Sequence, residues 1–220
     1  MRFAALPVRG VLRSLLTALM LMLLPFTPLQ AQEPYTLSVR LTTVAGIIEL
    51  ELYPDQAPLT VANFLTYVDA GLYNGTSFYR VVRPDNQPNS PVKIEVVQGG
   101  LGVDSYEEDR EPEFPPVAHE TTQQTGLRHL DGTVSMARLA PGSATSEFFI
   151  CIGAQPSLDF GGARNPDGQG FAAFGRVTAG MDLVRSIQQR SAGAQVSPER
   201  AAVSGQILDE PVVIELAERI

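Results

Sequence analysis

The sequence predicts a mainly β fold, a closed eight-stranded antiparallel β-barrel capped by two α-helices. Eight short stretches alternate or run apolar as strands do, and two stretches have helical periodicity. Three further stretches, Arg83–Pro91, Gly102–Pro116 and Ser191–Pro211, are predicted to be loops from their proline, acidic or polar content. Closure removes the edges of the sheet, and eight strands leave an interior that side chains can fill.

The strands begin with a hairpin whose tight turn is Val44-Ala45-Gly46. Each stretch is apolar on at least one face, which is the pattern of a strand that covers a core. The predicted strands are Thr36–Thr43, Gly46–Tyr53, Phe78–Val82, Val92–Val97, Thr133–Ala137, Glu147–Ile152, Ala172–Val177 and Val212–Leu216.

The first helix follows the hairpin. Its apolar residues fall at i, i+3, i+4 and i+7 and make one stripe, Val61, Phe64, Leu65 and Val68. Pro58 lies near its start, where the missing N–H costs nothing, and Gly71 lies where a left-handed cap is needed. A second short helix is predicted from about Met181 to Gln189.

The first 31 residues have the layout of a secretory signal peptide. Three arginines precede the uncharged stretch Ser14–Leu24, Pro25 interrupts it, and a small residue, Ala31, marks the expected cleavage site. The alternative is an uncleaved membrane anchor, but this apolar stretch falls well short of the ~20 residues that span a bilayer. We therefore expect an exported, periplasmic protein in which residues 32–220 form a single domain.

Without that segment the chain has 13 basic and 24 acidic residues, a net charge of −11. Such a surface argues against a nucleic-acid partner and against docking on anionic lipid. We expect no stable membrane association after cleavage, and a monomer. Cys151 is the only cysteine, so no internal disulfide can form, and its apolar neighbours indicate a buried, inert thiol.

Four short runs each place a polar group in strand-like apolar sequence. In chain order they are Ser77–Arg80, Val96–Gly100, Val134–Arg138 and Ser146–Ile150. Together they describe a shallow apolar pocket with one fixed cation and a few hydrogen-bonding groups at its rim. The runs contain no nucleophile–base pair, no metal-ligand cluster and no phosphate-binding loop.

The order and spacing of these runs resemble the cyclophilins, the peptidyl-prolyl cis-trans isomerases, from roughly Leu37 to Glu215, and bacterial exported members in particular. The resemblance implies an enzyme that stabilises the twisted prolyl amide and so accelerates folding of exported proteins. Its substrates would be proline-containing unfolded polypeptides, and it would need no cofactor. The reaction is rotation about a partial double bond with a barrier of ~18–20 kcal/mol, so no nucleophile is required.

The resemblance also implies roles for individual residues. Arg80 would be the catalytic cation and Gln98 the residue that orients it, with Tyr79 in the place of the family's histidine. The backbone of Arg138 would bind the substrate residues before the proline, and Phe149 would form the floor of the proline pocket. The other expected substrate-binding residues are Val96, Met136, Ala137, Glu147, Leu158 and Phe171.

Several positions depart from the family pattern. Glu95-Val96 replaces a phenylalanine–methionine pair, so one wall of the pocket is expected to be more polar or rebuilt. Glu147 replaces a glutamine, and its carboxylate is expected near Arg80, where it would weaken the cation if the two are in contact. Ser157 stands where many members have an aromatic residue.

Two other functions remain open from the sequence. One is a non-catalytic proline-peptide-binding chaperone on the same fold, suggested by Glu95 and Glu147. The other is a small-ligand carrier barrel, against which the predicted capping helices and filled interior argue. His119 and His129 lack companion ligands at metal-binding spacing, so no metal site is expected.

Overall fold

The computed structural model describes Met1, residues 35–102 and residues 113–220 of the chain. The chain divides into two units, Met1–Glu33 and Pro34–Ile220. The predicted signal peptide, apart from Met1, and most of the predicted loop Gly102–Pro116 lie outside the described residues. Among the described residues, no helix has the length and apolar character needed to cross a membrane.

Eight antiparallel strands close into a barrel, as predicted. Their order around it is β1–β2–β7–β5–β6–β4–β3–β8, and β8 pairs back to β1. In chain order the strands are β1 (Leu37–Thr43), β2 (Gly46–Leu52), β3 (Ser77–Val82), β4 (Val96–Gly100), β5 (Thr133–Met136), β6 (Phe148–Cys151), β7 (Ala172–Ala179) and β8 (Ile207–Arg219).

Three α-helices accompany the barrel in the described part of the chain. They are α1 (Pro58–Asp69), α2 (Thr122–Thr125) and α3 (Met181–Gln188). The first and third confirm the two predicted helices. The second is a single turn that the sequence analysis did not foresee, and it begins with a capping box between Thr121 and Gln124. Two short 3₁₀ segments among the described residues, Pro156–Leu158 and Pro198–Val203, lie in the connections.

Helix α1 packs on the barrel through its predicted apolar stripe. The ring of Phe64 lies 5.4 Å from that of Phe148 and 5.1 Å from that of Phe174, centroid to centroid. Pro58 is the first helical residue. The carboxylate of Glu120 accepts hydrogen bonds from the backbone N–H groups of Leu59 and Thr60, so a distant acidic side chain caps this helix.

The alternation along the strands separates two apolar clusters. The larger fills the barrel and includes Phe78, Val97 and Phe148. The smaller lies on the other face of β3, β4 and β6 and consists of Val82, Ile94, Val96, Phe149, Cys151 and Leu158, with Ala137 and Phe171 packed against it. This second cluster gives the barrel an apolar outer surface at one place.

The predicted strand Val92–Val97 is wrong in its position, because β4 begins only at Val96. Backbone carbonyl groups that precede β4 accept hydrogen bonds from side chains instead of from a strand. Gln87 donates to the carbonyl of Ile94, and Arg164 donates to the carbonyl of Val92. These groups are therefore satisfied without a neighbouring strand.

The predicted loop Ser191–Pro211 is also too long, because β8 starts at Ile207. Along β3, Arg80 pairs with Ile207 while Phe78 pairs with Val212, so β8 carries extra residues between the two pairings. Pro211 lies in this irregular stretch, where a residue without an N–H does not interrupt the ladder.

Candidate functional site

A cavity of about 400 Å³ lies over the smaller apolar cluster. Eight of the ten predicted site residues line it: Arg80, Val96, Gln98, Ala137, Arg138, Phe149, Leu158 and Phe171. Strands β3, β4 and β6 present four of these side chains outward, those of Arg80, Val96, Gln98 and Phe149, because alternate residues point to opposite faces of a sheet. Phe148 accordingly lies in the barrel core, whereas its neighbour Phe149 faces the cavity.

Two predicted site residues, Met136 and Glu147, are not among those that line this cavity. Met136 is buried in the barrel core, on the face of β5 opposite to the cavity. Glu147 is 2% exposed, and an added Cβ on Gly100 would lie only 2.5 Å from its Oε1 atom. Glu147 therefore lies beneath the glycine end of β4 rather than at the surface that a peptide could touch.

The guanidinium of Arg80 is held by two glutamine side chains. Its Nη1 donates to Oε1 of Gln98 at 2.8 Å. Its Nε and Nη2 donate to Oε1 of Gln206 at 2.9 and 2.6 Å. Gln206 in turn donates to the backbone carbonyl of Asn86. Gln206 was missed by the sequence analysis, since it lay in a predicted loop 126 residues from Arg80 and only the β3–β8 pairing brings them together.

Gln98 is fixed by a second set of bonds. Its Nε2 donates to the hydroxyl of Tyr79 at 2.7 Å, and that hydroxyl donates to Oε2 of Glu147 at 2.5 Å. Glu147 also accepts from the N–H of Gly102 and from the hydroxyl of Ser146. Hydrogen bonds thus connect Glu147 to Arg80 through Tyr79 and Gln98.

The wall around Glu95 is rebuilt, one of the two outcomes expected from the sequence. Ile94 and Val96 line the cavity, whereas Glu95 does not. The carboxylate of Glu95 accepts a hydrogen bond from Gln188 of α3. The polar residue therefore points away, and the cavity wall remains apolar.

The floor of the cavity is the ring of Phe149, supported from two directions. Phe171 meets it edge-on at 5.3 Å, and the imidazole of His129 stacks against it at 6.1 Å. His129 hydrogen-bonds to Asp159 through Nδ1 at 2.8 Å and to Ser135 through Nε2 at 3.0 Å. From the sequence, His129 was considered only as a metal ligand, and this role beside Phe149 was not predicted.

Ser135, His129 and Asp159 are hydrogen-bonded in the same order as a Ser-His-Asp triad, but all three are buried away from solvent. Ser135 is 0%, His129 1% and Asp159 4% exposed, which leaves no access for a substrate. Burial alone would raise the pKa of Asp159, but the hydrogen bonds from the side chain and backbone N–H of His129 outweigh it and lower the pKa. The group therefore supports Phe149 and the adjacent Pro156–Leu158 segment rather than performing hydrolysis.

Arg138 forms one rim of the cavity. Its guanidinium pairs with both oxygens of Asp167 at 2.8 and 2.9 Å and lies over the ring of Phe171. The hydrogen bonds from Arg138 and from the backbone N–H of Gln169 lower the pKa of Asp167 to about 2. Within residues 35–102 and 113–220, the backbone N–H and C=O of Arg138 make no hydrogen bond to another backbone group.

The remaining titratable groups in the described part of the chain do not form a metal site. His119 lies near the carbonyl of Gln169, apart from His129, and burial lowers its pKa. Across the described ranges, His, Cys, Asp and Glu side chains do not gather in groups that could hold a metal ion. Cys151 is buried in the smaller apolar cluster, and burial raises the pKa of its thiol.

Comparisons with known proteins agree with this geometry. Residues 38–209 match the family model described as cyclophilin type peptidyl-prolyl cis-trans isomerase/CLD. Over 201 residues the chain is 38% identical to peptidyl-prolyl cis-trans isomerase A of Dickeya dadantii, covering 91% of this chain and 93% of that protein. Over 171 residues it is 33% identical to peptidyl-prolyl cis-trans isomerase B of Escherichia coli, covering 77% and 92%.

Solved structures show the same fold. A cyclophilin type peptidyl-prolyl cis-trans isomerase of Cryptosporidium parvum superimposes with a TM-score of 0.61 at 19% identity, over 84% of this chain and 98% of that one. The structure of that protein in the presence of the dipeptide Ala-Pro gives a TM-score of 0.58 at 20% identity, over 82% and 97%.

Proposed function

Because the chain belongs to the cyclophilin-type peptidyl-prolyl cis-trans isomerase family, we propose that its reaction takes place in the cavity beside Arg80. One observation supports this proposal most directly. Gln98 and Gln206 hold the guanidinium of Arg80 at the wall of an apolar cavity, and Phe149 forms the floor of that cavity. A cation held in this way is already oriented before a substrate arrives.

The proposed chemistry follows from the electronic structure of the prolyl amide. When the C–N bond twists by about 90°, conjugation is lost and the prolyl nitrogen gains an available lone pair. A guanidinium N–H directed at that nitrogen interacts with the twisted form more strongly than with either planar form. Such an interaction lowers the barrier, because it is made mainly in the transition state.

The apolar surfaces would hold the proline ring while the other side of the amide turns. Phe149, Leu158 and Phe171 offer a concave surface of carbon atoms, which suits a pyrrolidine ring. The residues before the proline would bind in an extended conformation to the backbone groups of Arg138, as a strand adds to a sheet edge. No proton transfer or cofactor takes part in this scheme.

A proline-peptide isomerisation assay on the chain without residues 1–31 tests this function. Exchange between the cis and trans forms, followed by NMR at equilibrium, should accelerate in proportion to enzyme concentration. Absence of acceleration by a folded sample that still binds the peptide would contradict the proposal and support a non-catalytic chaperone.

The biological role that we propose is to accelerate folding of exported proteins in the periplasm. It rests on the signal-peptide layout of residues 1–31 and on the acidic surface. Cell fractionation of the tagged full-length protein, with N-terminal sequencing of the product, tests it. A periplasmic product that begins at Gln32 is expected, and an uncleaved cytoplasmic product would contradict the proposal.

A further inference from the structure

A second guanidinium, that of Arg164, lines the same cavity as Arg80. Arg164 lies in the connection between the 3₁₀ segment Pro156–Leu158 and β7. Its Nη1 donates to Oε1 of Gln87 at 2.9 Å, to the hydroxyl of Ser90 at 2.6 Å and to the carbonyl of Val92 at 2.6 Å. Three neutral acceptors thus fix the side chain through one of its nitrogens.

The charge of Arg164 has no carboxylate partner within residues 35–102 and 113–220. Arg138, the other arginine on the cavity rim, pairs with Asp167, and arginines elsewhere on the barrel pair with Glu49, Glu51 and Asp69. Burial and the proximity of Arg80 lower the pKa of Arg164. A half-buried guanidinium without a counter-charge, in a chain that is acidic as a whole, attracts an anion.

Among the described residues, the lining of the cavity provides no such anion. The described side chains that line it include three arginines and neither aspartate nor glutamate. Arg80 and Arg164 therefore add their positive potential in the same cavity, where screening by water is weaker than at a flat surface.

The position of Arg164 relative to β4 indicates which part of a peptide it would meet. Arg164 contacts Val92, which precedes the first residue of β4, Val96. Ala137 lies near the last residue of β4, Gly100, because its N–H donates to the carbonyl of Glu147 and Glu147 packs against Gly100. Five strand residues separate these ends by roughly 13 Å. A peptide whose proline lies between them therefore has one flank near Ala137 and the other near Arg164.

We propose that Arg164 forms a subsite for a carboxylate side chain on the residue that follows the proline. The inference rests on the proposed function, which places the residues before the proline at Ala137 and Arg138 and the proline ring at Phe149. The occupant is an acidic side chain of the substrate, paired with the free nitrogens of the guanidinium.

Matched peptides that differ only in the residue after the proline test this subsite. With glutamate, glutamine or lysine there, kcat/KM should decrease in that order. The glutamate-to-glutamine ratio should be about two- to fivefold at low ionic strength and should fall as salt is added. Arg164→Gln should bring the ratio close to one, a comparison of two peptides within the same variant. Arg164→Lys should retain most of the ratio, since the charge remains.

Arg176→Gln is the matched control, because Arg176 lies on β7, pairs with Glu51 and is absent from the cavity lining. It should leave the ratio unchanged. Equal turnover of the glutamate and glutamine peptides by the unmodified enzyme, or an unchanged ratio in Arg164→Gln, would overturn the subsite. If Arg164→Gln does not fold, two other measurements test the subsite. A ratio that does not fall with salt, or that is lost in Arg164→Lys, would overturn it. Failure to turn over any of the peptides would instead overturn the proposed function.

Discussion

The hydroxyl of Tyr79 donates a hydrogen bond to Glu147 while it accepts one from Gln98. Because the proton of the Tyr79 hydroxyl is donated to Glu147, the hydroxyl oxygen can only accept a hydrogen bond from Gln98. The amide nitrogen of Gln98 must then face Tyr79, which leaves its oxygen for Arg80. Glu147 thereby determines which way Gln98 faces, although it does not line the cavity.

Tyr79→Phe should lower kcat about fivefold with little change in KM. Without the hydroxyl, the amide of Gln98 can turn and present its NH₂ group to Arg80. The activation free energy should then rise by about 1 kcal/mol, because Arg80 is less well oriented. Enzyme kinetics on a proline peptide measure this split. Tyr53→Phe is the control, because it removes a hydroxyl that donates to Glu51 at the surface. Equal losses in both variants would show that the effect is not specific to the network.

Glu147→Gln should also lower the rate. The sequence alone led to the opposite expectation, a higher rate, on the condition that the carboxylate competes for the charge of Arg80. The structure places Tyr79 on that carboxylate, and an amide there can donate as well as accept, so the hydroxyl proton is no longer directed. A higher kcat in Glu147→Gln would mean that competition for charge outweighs orientation.

Asp159 should make the fold sensitive to acid. Its pKa is lowered in the folded state, so its stabilising contribution is fully present above the unfolded value of about 3.9 and is lost as the pH falls through the folded value. Asp159→Asn should therefore lower the melting temperature at pH 7, and the difference from the unmodified protein should shrink below about pH 4. A difference that is constant from pH 7 to pH 3 would contradict this assignment.

The sequence predicted the elements whose signals are local. The stripe of Val61, Phe64, Leu65 and Val68 placed α1, and the apolar stretch Glu147–Ile152 placed β6. Each of these signals depends only on the spacing of neighbouring residues, which is what a period of 3.6 or 2 describes.

The features that the sequence did not predict depend on contacts between distant residues. Gln206 reaches Arg80 across 126 positions, and Arg164 reaches Ser90 across 74. Neither stands in a local pattern. The same holds for β4, where the side chains of Gln87 and Arg164 satisfy backbone groups that would otherwise continue the strand. Met136 was assigned to the pocket by resemblance, although alternation along β5 directs it into the core.

The central claim is that the guanidinium of Arg80 acts on the rotating amide, and one measurement tests it directly. The kcat/KM for isomerisation of a proline peptide should fall at least about 100-fold in Arg80→Ala, the loss typical of removing a preorganised electrostatic group. The melting temperature should change little, because apolar burial holds the barrel together. Arg80→Lys should not restore the rate, since a lysine lacks the planar fork that Gln98 and Gln206 hold. Near-normal turnover by a folded Arg80→Ala variant would contradict the claim.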